Sequence, residues 1–363
     1  MHKLMPITLA ALLVACVAAS AAAESKWTKL TTEQGLPSDE IQFIKADDGR
    51  VWIGTLRGLV YYDGKLSPVL VPGQVWDVLP LDAKTQLVGT DRGATVINAA
   101  RLAEQLRQIG DDEKKKKQAI KHEYEAGGTR ISPLVKVDDD RIWSVQRAGG
   151  FDAGQTKLIE RVDGKWRAVK ALADRGAVDI DKGPDGRLYV TLDGDGVAIF
   201  NPKQGFDEFK HVLDGQNVTA MTVDKQGNAW FGLWGAGVSM LQGERWTDHL
   251  RDQEAYIFAI REDPKGNIWV ATDQGGLWRY DGKQWVNDLK EEGGVNLLEV
   301  TRDGRVWIST QSVGGLRYYD PKNQKWVTAI PGPLPIRSLT ETDKYGLWAG
   351  GVLDGVHILP PEN

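Results

Sequence analysis

Hydrophobic and polar residues alternate along most of this chain, and turns that contain glycine interrupt the alternation. In the commonest arrangement an alternating run leads into such a turn, which is followed by Trp, a large apolar residue and a small residue. Residues 226–232 and 265–272 are two examples. Side chains that alternate with a period of two are typical of strands that present one face to a core. The pattern therefore predicts short antiparallel strands joined by tight turns.

The same unit recurs along almost the whole chain. Its average spacing of about 42 residues is close to the period of propeller repeats. A third strand follows the Trp strand, and a second turn leads to a fourth strand that begins with Trp, as at Trp246 and Trp285. Eight units align on Trp52, Leu87, Trp143, Tyr189, Trp230, Trp269, Trp307 and Trp348.

Four antiparallel strands per unit, repeated radially, predict an all-β protein with a single β-propeller. We expect eight four-stranded blades, or seven if the degenerate unit at Leu87 does not form a full blade. The last unit stops after its third strand, whereas the chain begins with an unpaired fourth strand at residues 26–30. Pairing these two segments would close the ring and cover both exposed edges.

The recurring Trp is predicted to lie in the core. Trp52 and Gly54 share one face of their strand, so the indole fills the gap between blades while the small residue allows the neighbouring blade to approach. A Trp-rich exported protein can instead present a sugar-binding surface, but large apolar residues at a regular period are typical of a buried column.

The N-terminus resembles a signal peptide. A short apolar run is followed by Ala21, Ala22 and Ala23, so we expect residues 1–23 to be cleaved and the protein to be periplasmic or secreted. A lipobox-like sequence ending at Cys16 leaves lipid anchoring open as an alternative. Since no later apolar run is long enough to span a bilayer, the mature chain at 24–363 is predicted to have no transmembrane segment. It would also contain no cysteine.

Composition limits the partners. The formal net charge is −5, so the sequence lacks the basic character expected of a nucleic-acid-binding protein. Residues 99–125, which follow the Leu87 unit, are rich in Ala, Leu, Gln, Lys and Glu and predict a helical insertion.

The repeat resembles the two-component regulator propeller repeat. Its pattern of Ile, an Asp-x-x-Gly turn, Ile-Trp-Ile and a Gly-Gly-Leu run matches most units, and the opening segment with Gly35, Leu36, Pro37 and Ser38 resembles the entry segment of that family. The resemblance spans roughly residues 26–360 and implies a periplasmic sensor domain of the kind found in hybrid histidine kinases. Because the last blade is followed directly by Asn363, we expect a free-standing propeller without a kinase.

Candidate chemistry is sparse. The four histidines outside the signal segment do not pair at metal-ligand spacing, and Asp179, Asp181, Asp193 and Asp195 fall where turn carboxylates are common. We therefore expect neither a metal nor a cofactor. The repeat also resembles that of the virginiamycin B lyase family, in which a late-blade His acts with a Glu and Mg²⁺. Here His357 is the corresponding His and no Glu lies beside it, so such a lyase is kept as an alternative to a non-catalytic protein.

The propeller topology predicts where a ligand binds. Loops between second and third strands and loops between blades gather on one face around the central channel, and loops commonly carry function. Arginine forks there suit carboxylate, sulfate or phosphate groups, and exposed aromatic rings suit a sugar or an apolar group. The candidate ligand-binding residues are Arg57, Arg92, Arg147, Trp234, Tyr256, Gln274, Gln311 and Asp354. The loops between blades add Trp76, Arg130, Asn217, Asn296 and Arg337.

The sequence therefore predicts a protein that binds a small ligand, anionic or derived from a glycan, at the central funnel. The alternative is a protein-protein interaction scaffold for a periplasmic partner, in which the segment at 99–125 is a docking element.

Overall fold

The computed structural model describes residues 27–47, 49–147, 156–252, 256–289, 293–310, 315–332 and 335–361. The predicted signal segment at 1–23 and the candidate ligand residue Gln311 lie outside these ranges. Within them the chain forms eight antiparallel sheets. Neighbouring sheets contact each other in sequence order, and the last contacts the first, so the sheets form a closed ring. The predicted eight-bladed propeller is confirmed.

The first four blades follow the N-terminal strand β1 (Thr28–Leu30). Their strands are β2 (Ile41–Asp47), β3 (Arg50–Thr55), β4 (Gly58–Tyr62) and β5 (Val71–Pro72) in blade 1; β6 (Val75–Pro80), β7 (Gln86–Thr90) and β8 (Gly93–Ile97) in blade 2; β9 (Arg130–Lys136), β10 (Arg141–Arg147), β11 (Thr156–Val162) and β12 (Lys165–Ala168) in blade 3; β13 (Ala177–Lys182), β14 (Leu188–Leu192), β15 (Val197–Phe200) and β16 (Lys210–Val212) in blade 4.

The remaining four blades have the same strand order. Their strands are β17 (Val218–Val223), β18 (Ala229–Leu233), β19 (Gly237–Gln242) and β20 (Arg245–His249) in blade 5; β21 (Ile257–Glu262), β22 (Ile268–Thr272), β23 (Leu277–Tyr280) and β24 (Trp285–Asn287) in blade 6; β25 (Val295–Val300), β26 (Val306–Thr310), β27 (Leu316–Asp320) and β28 (Lys325–Ile330) in blade 7; β29 (Ile336–Thr342), β30 (Gly346–Gly351) and β31 (Val356–Leu359) in blade 8.

The N-terminal strand completes the last blade. β1 pairs antiparallel with β31, with Thr28 opposite Ile358 and Leu30 opposite Val356. The predicted closure is therefore confirmed. It joins the two ends of the described chain through backbone hydrogen bonds and covers the outer edge of β31, which would otherwise expose unpaired N–H and C=O groups.

Blade 2 is the irregular one. It has three strands, and a single bridge between Ala94 and Glu125 lies where the other blades have a fourth strand. Two helices, α1 (Ala99–Ile109) and α2 (Glu113–Ala119), precede that bridge. The buried face of α1 includes Leu102 and Leu106, which belong to one hydrophobic cluster with residues of blades 1 and 2. Because Leu87 is buried in β7, this unit is a blade, and the seven-bladed alternative is wrong.

The eight aligned positions form the predicted core column. Each of them is at most 2% exposed. An aspartate at the start of the turn holds the indole in several blades: the Nε1 atoms of Trp230 and Trp269 donate to Oδ2 of Asp224 at 2.9 Å and Asp263 at 3.0 Å. The same carboxylates accept turn N–H groups. The Asp-x-x-Gly element therefore fixes both the turn and the ring orientation.

The residue two positions after each column residue is usually small, and the reason is steric. A Cβ atom at Gly89 would overlap the backbone carbonyl oxygen of Ile131 in the next blade, and one at Gly232 would lie 2.7 Å from Cγ2 of Ile257. At these two positions the first strand of the following blade packs directly against the glycine, as expected from the tapering shape of a propeller. Among the helices of the described residues, none has the length and apolar character needed to cross a bilayer.

Candidate functional site

A cavity of about 430 Å³ lies among the inner strands of blades 3, 4 and 5. Part of its lining comes from residues at strand ends: Arg130 opens β9, Arg147 closes β10, and Trp234 directly follows β18. Asn217 and Tyr256 directly precede first strands of blades 5 and 6. First strands begin and second strands end at the same propeller face, because the two run antiparallel. The cavity therefore opens at the face where the sequence places the ligand.

Two arginines form a cationic wall. Arg147 donates a hydrogen bond from Nη2 to the carbonyl oxygen of Val178. The guanidinium carbon of Arg130 lies 3.4 Å from the centroid of the Trp76 ring, a cation–π contact. Among the residues that the structure describes, neither side chain forms a salt bridge, and the buried Nε atom of each has no hydrogen-bond partner.

The arginine pKa values show the cost of this arrangement. Burial, with the nearby charge of Arg147, lowers the pKa of Arg130 to about 10. Burial also lowers the pKa of Arg147. The guanidinium group of Arg130 remains charged near neutral pH, since a pKa of about 10 lies well above it. The charge of Asp179 acts on both arginines from a distance and opposes this lowering. An anion in the cavity would give the two guanidinium groups the close ion pair that they lack among the described residues.

Aromatic rings form another part of the lining. Trp234 is 60% exposed, and its ring meets that of the half-buried Tyr256 edge to face at a centroid distance of 5.7 Å. Tyr256 in turn contacts Phe258 at 5.1 Å. The backbone N–H of Trp234 donates to the carbonyl oxygen of Asn217 at 3.0 Å, and that of Tyr256 donates to Oδ1 of Asp273 at 2.9 Å. These bonds fix the backbone that carries the two rings, which can pack on a ligand.

Two carboxylates lie on β13. Asp179 and Asp181 are two residues apart and therefore share one face of the strand. Both line the cavity, and both side chains are exposed to the solvent in it. The protein atoms that surround the cavity still desolvate each carboxyl group in part, which raises its pKa. Sequence reasoning had noted this pair only as turn carboxylates. The sequence does contain a signal for this pair: β13 carries two acidic residues, whereas the first strands of most other blades carry fewer charged residues.

The structure brings three of the candidate ligand residues together. Arg147, Trp234 and Tyr256 line the cavity, as do Arg130 and Asn217 from the loops between blades. Trp76 lies behind Arg130 as its stacking partner. The other described candidates lie outside this cavity. Arg57, Arg92 and Gln274 are exposed on the loops of blades 1, 2 and 6, and Asp354 lies in blade 8.

Asp354 is already engaged by its neighbours. It forms a salt bridge with Lys29 of the closing strand, and its Oδ2 atom lies 2.9 Å from Nε2 of His357. Burial raises the pKa of Asp354, but these two partners lower it further than burial raises it, so the net change is downward. His357 is 8% exposed, and burial lowers its pKa. These contacts stabilise the junction between β1 and β31.

One further group of side chains has metal-ligand atoms within reach of each other. Asp195, His211 and Asp214 each offer one such atom, all within 4.8 Å. However, Arg175 already pairs with Asp195 and lies 3.4 Å from Nε2 of His211. A resident guanidinium supplies the positive charge there, so the group is an ion-pair network.

One repeat of the chain is similar to a known protein family. Residues 252–274 match the two-component regulator propeller family. The resemblance predicted from the repeat pattern is confirmed at this unit, which begins after β20 and includes β21 and β22, the first two strands of blade 6. No curated protein matches the sequence.

Solved structures with the same fold differ widely in sequence. The computationally designed Ika8 protein aligns with a TM-score of 0.62 at 12% identity, covering 90% of this chain and 98% of Ika8. Virginiamycin B lyase from Staphylococcus aureus aligns with 0.56 at 11% identity, covering 93% and 98%. YCF48 from Cyanidioschyzon merolae aligns with 0.52 at 13% identity, covering 93% and 100%. At these identities the similarity shows the fold alone.

Proposed function

We propose that this protein is an exported, non-catalytic binding propeller that holds a small anionic ligand in the cavity between blades 3 and 5. The observation that carries the proposal is the pair Arg130 and Arg147, two guanidinium groups that line one cavity and form no salt bridge among the described residues. Arginine forks bind carboxylate, sulfate and phosphate groups through paired hydrogen bonds. A partly buried charge without a close ion-pair partner is costly, so a bound anion would stabilise both arginines.

The aromatic residues that line the cavity indicate a second property of the ligand, a ring or an apolar group. Trp234 and Tyr256 offer ring faces and edges within the same cavity as the two arginines. A ligand with a flat or apolar ring would remove this exposed surface from water while its anionic group reaches the arginines. Sugar acids and aryl carboxylates combine both features, and the cavity volume suits a molecule of that size.

The test is calorimetric titration of the mature protein with uronic acids, aryl carboxylates and N-acetyl amino acids. Arg147→Met should weaken binding of any such ligand by about 10- to 150-fold, since a charge-assisted hydrogen bond contributes about 1.5–3 kcal/mol. Arg130→Met should act in the same direction. The double variant Arg130→Met with Arg147→Met removes both charges of the cavity. Its matched control is Arg57→Met with Arg92→Met, which removes the same number of charges from the same face outside the cavity.

The proposal is wrong if the control pair weakens binding as much as the cavity pair does. It is also wrong if anionic probes bind equally well to Arg147→Met and to the unaltered protein. Melting temperatures of all variants, measured without ligand, separate a binding defect from a folding defect.

Export rests on the N-terminal sequence. We propose that residues 1–23 direct the chain out of the cytoplasm and are removed before Glu24. The intact mass of the protein isolated from a periplasmic fraction tests this directly. A mass that corresponds to a lipid-modified chain beginning at Cys16 would contradict cleavage at Ala23 and support the anchored alternative.

A further inference from the structure

The cavity holds unpaired charges of both signs, separated from each other. Arg130 and Arg147 line one part of it, and Asp179 lies on the neighbouring strand β13. The charges interact at a distance, because both arginines lower the pKa of Asp179 while its burial raises it further. Among the described residues, however, no salt bridge joins Asp179 to either arginine.

Backbone contacts keep these charges apart. The guanidinium group of Arg147 donates to the carbonyl oxygen of Val178. The carboxylate of Asp179 accepts the backbone N–H of Ile180 at 2.9 Å. Each ion is therefore held by the backbone of β13 and not by the opposite ion. A cavity that presents a cation and an anion not paired with each other is complementary to a molecule that carries both charges.

We propose that the ligand is a zwitterion, whose carboxylate binds Arg130 and Arg147 and whose ammonium group binds Asp179. This inference rests on the proposed function and narrows its ligand to free amino acids and closely related amino-carboxylates. The ring wall of Trp234 and Tyr256 then contacts the side chain of the ligand. A metal ion is a poorer occupant at Asp179, because the two nearby guanidinium groups repel a free cation. An ammonium group enters on the same molecule as a carboxylate that neutralises those arginines.

Asp181 provides an internal comparison. It lies two residues further along β13, and the charge that lowers its pKa is that of Arg261, which already pairs with Glu299 at 3.0 Å. Arg130 and Arg147 act on Asp179, whereas the arginine that acts on Asp181 already has a carboxylate partner. The structure assigns the ammonium contact to Asp179, with Asp181 as a carboxylate of the same strand and face that does not take part.

The experiment uses the mature protein and titrates three matched probe sets: the proteinogenic amino acids, their N-acetyl derivatives and their amides. At least one free amino acid should bind about tenfold or more tightly than both of its derivatives, since each derivative loses one charged contact. Asp179→Asn should abolish the preference for the free amino acid over its N-acetyl derivative. Asp181→Asn should retain it.

The outcomes separate this inference from the proposed function. Equal binding of free and N-acetylated amino acids overturns the zwitterion, while loss of that binding in Arg147→Met would still support an anion site. A preference that survives in Asp179→Asn also overturns the assignment. If no amino acid binds but uronic acids do so through Arg147, the ligand is a simple anion and the zwitterion is wrong. The probe comparison on the unaltered protein decides the question even if a variant fails to fold.

Discussion

Replacement of Trp269 by alanine tests the assignment of the recurring Trp to the core. The indole is fully buried and packs against Tyr319 at a centroid distance of 5.5 Å and against Trp326 at 6.3 Å. Truncating a fully buried Trp removes its transfer free energy and leaves a cavity, which together cost about 3–5 kcal/mol. The neighbouring rings come from blade 7, so the loss weakens the contact between two blades.

The hydrogen bond of the indole adds little to this cost. Its partner Asp263 also accepts the backbone N–H groups of Lys265 at 2.9 Å and Asn267 at 3.0 Å, and the side-chain amide of Asn267 at 2.7 Å. The carboxylate therefore keeps three donors after the substitution and is not left unsatisfied, which is the expensive case. The expected loss in free energy of unfolding remains about 3–5 kcal/mol.

The matched control is Trp234→Ala, which removes the same side chain from the exposed wall of the cavity. Its cost should stay below about 1 kcal/mol, because surface substitutions away from packed features have small effects. The assay is urea denaturation followed by far-ultraviolet circular dichroism, with the unfolding transition of each variant fitted to its own folded and unfolded baselines. Similar unfolding free energies for the two variants would refute the inter-blade position of Trp269.

Three further perturbations follow from the packing. Gly89→Ala should destabilise by about 1–3 kcal/mol, because the new methyl overlaps the carbonyl of the next blade, whereas Gly127→Ala, where the nearest atom lies at 3.7 Å, should not. Burial lowers the pKa of His249 from its usual 6.5, so the folded protein favours the neutral imidazole ring. The stabilisation by the neutral ring is complete above pH 6.5 and is lost as the pH falls below this value. His249→Phe should therefore reduce the acid-induced loss of stability by up to about 1.4 kcal/mol per pH unit. Replacing residues 99–125 by a short linker should cost more than about 3 kcal/mol, because it uncovers the core beneath α1.

Thermal and urea unfolding measure the glycine and deletion variants, and unfolding between about pH 7 and about pH 5 measures the histidine variant. Equal stabilities of the two glycine variants would contradict the close contact between blades 2 and 3. An unchanged pH dependence in His249→Phe would show that the ring is protonated equally in the folded and unfolded states. A deletion without effect on stability would make the helices an appendage, as the scaffold alternative requires.

The repeat made most of the fold predictable. Trp, a small residue and an Asp-x-x-Gly turn recur because each blade packs against its neighbours in the same way. The buried column of aligned residues could therefore be identified from the spacing alone. Blade 2 was harder, since Leu87 replaces the Trp and two helices precede the bridge at Glu125. The local sequence indicates those helices, but it does not show that α1 covers the core of blades 1 and 2.

The candidate site was predicted only in part. Loop position was enough to select Arg147, Trp234 and Tyr256, because antiparallel strands bring their ends to one face. It selected Arg57 and Arg92 equally, although they lie on other blades and outside the cavity. Asp179 was not selected, because its place in the candidate site depends on two arginines from a neighbouring blade that share its cavity and form no salt bridge with it.

The sequence by itself determined the all-β architecture, the blade register and the closure by β1, because these depend on alternation and on a repeat that local residues encode. The tertiary structure alone decided which loops share a cavity and which charges in it remain without a partner. Those properties depend on how neighbouring blades approach each other and on burial, which a strand acquires only after it is packed against residues distant in the chain.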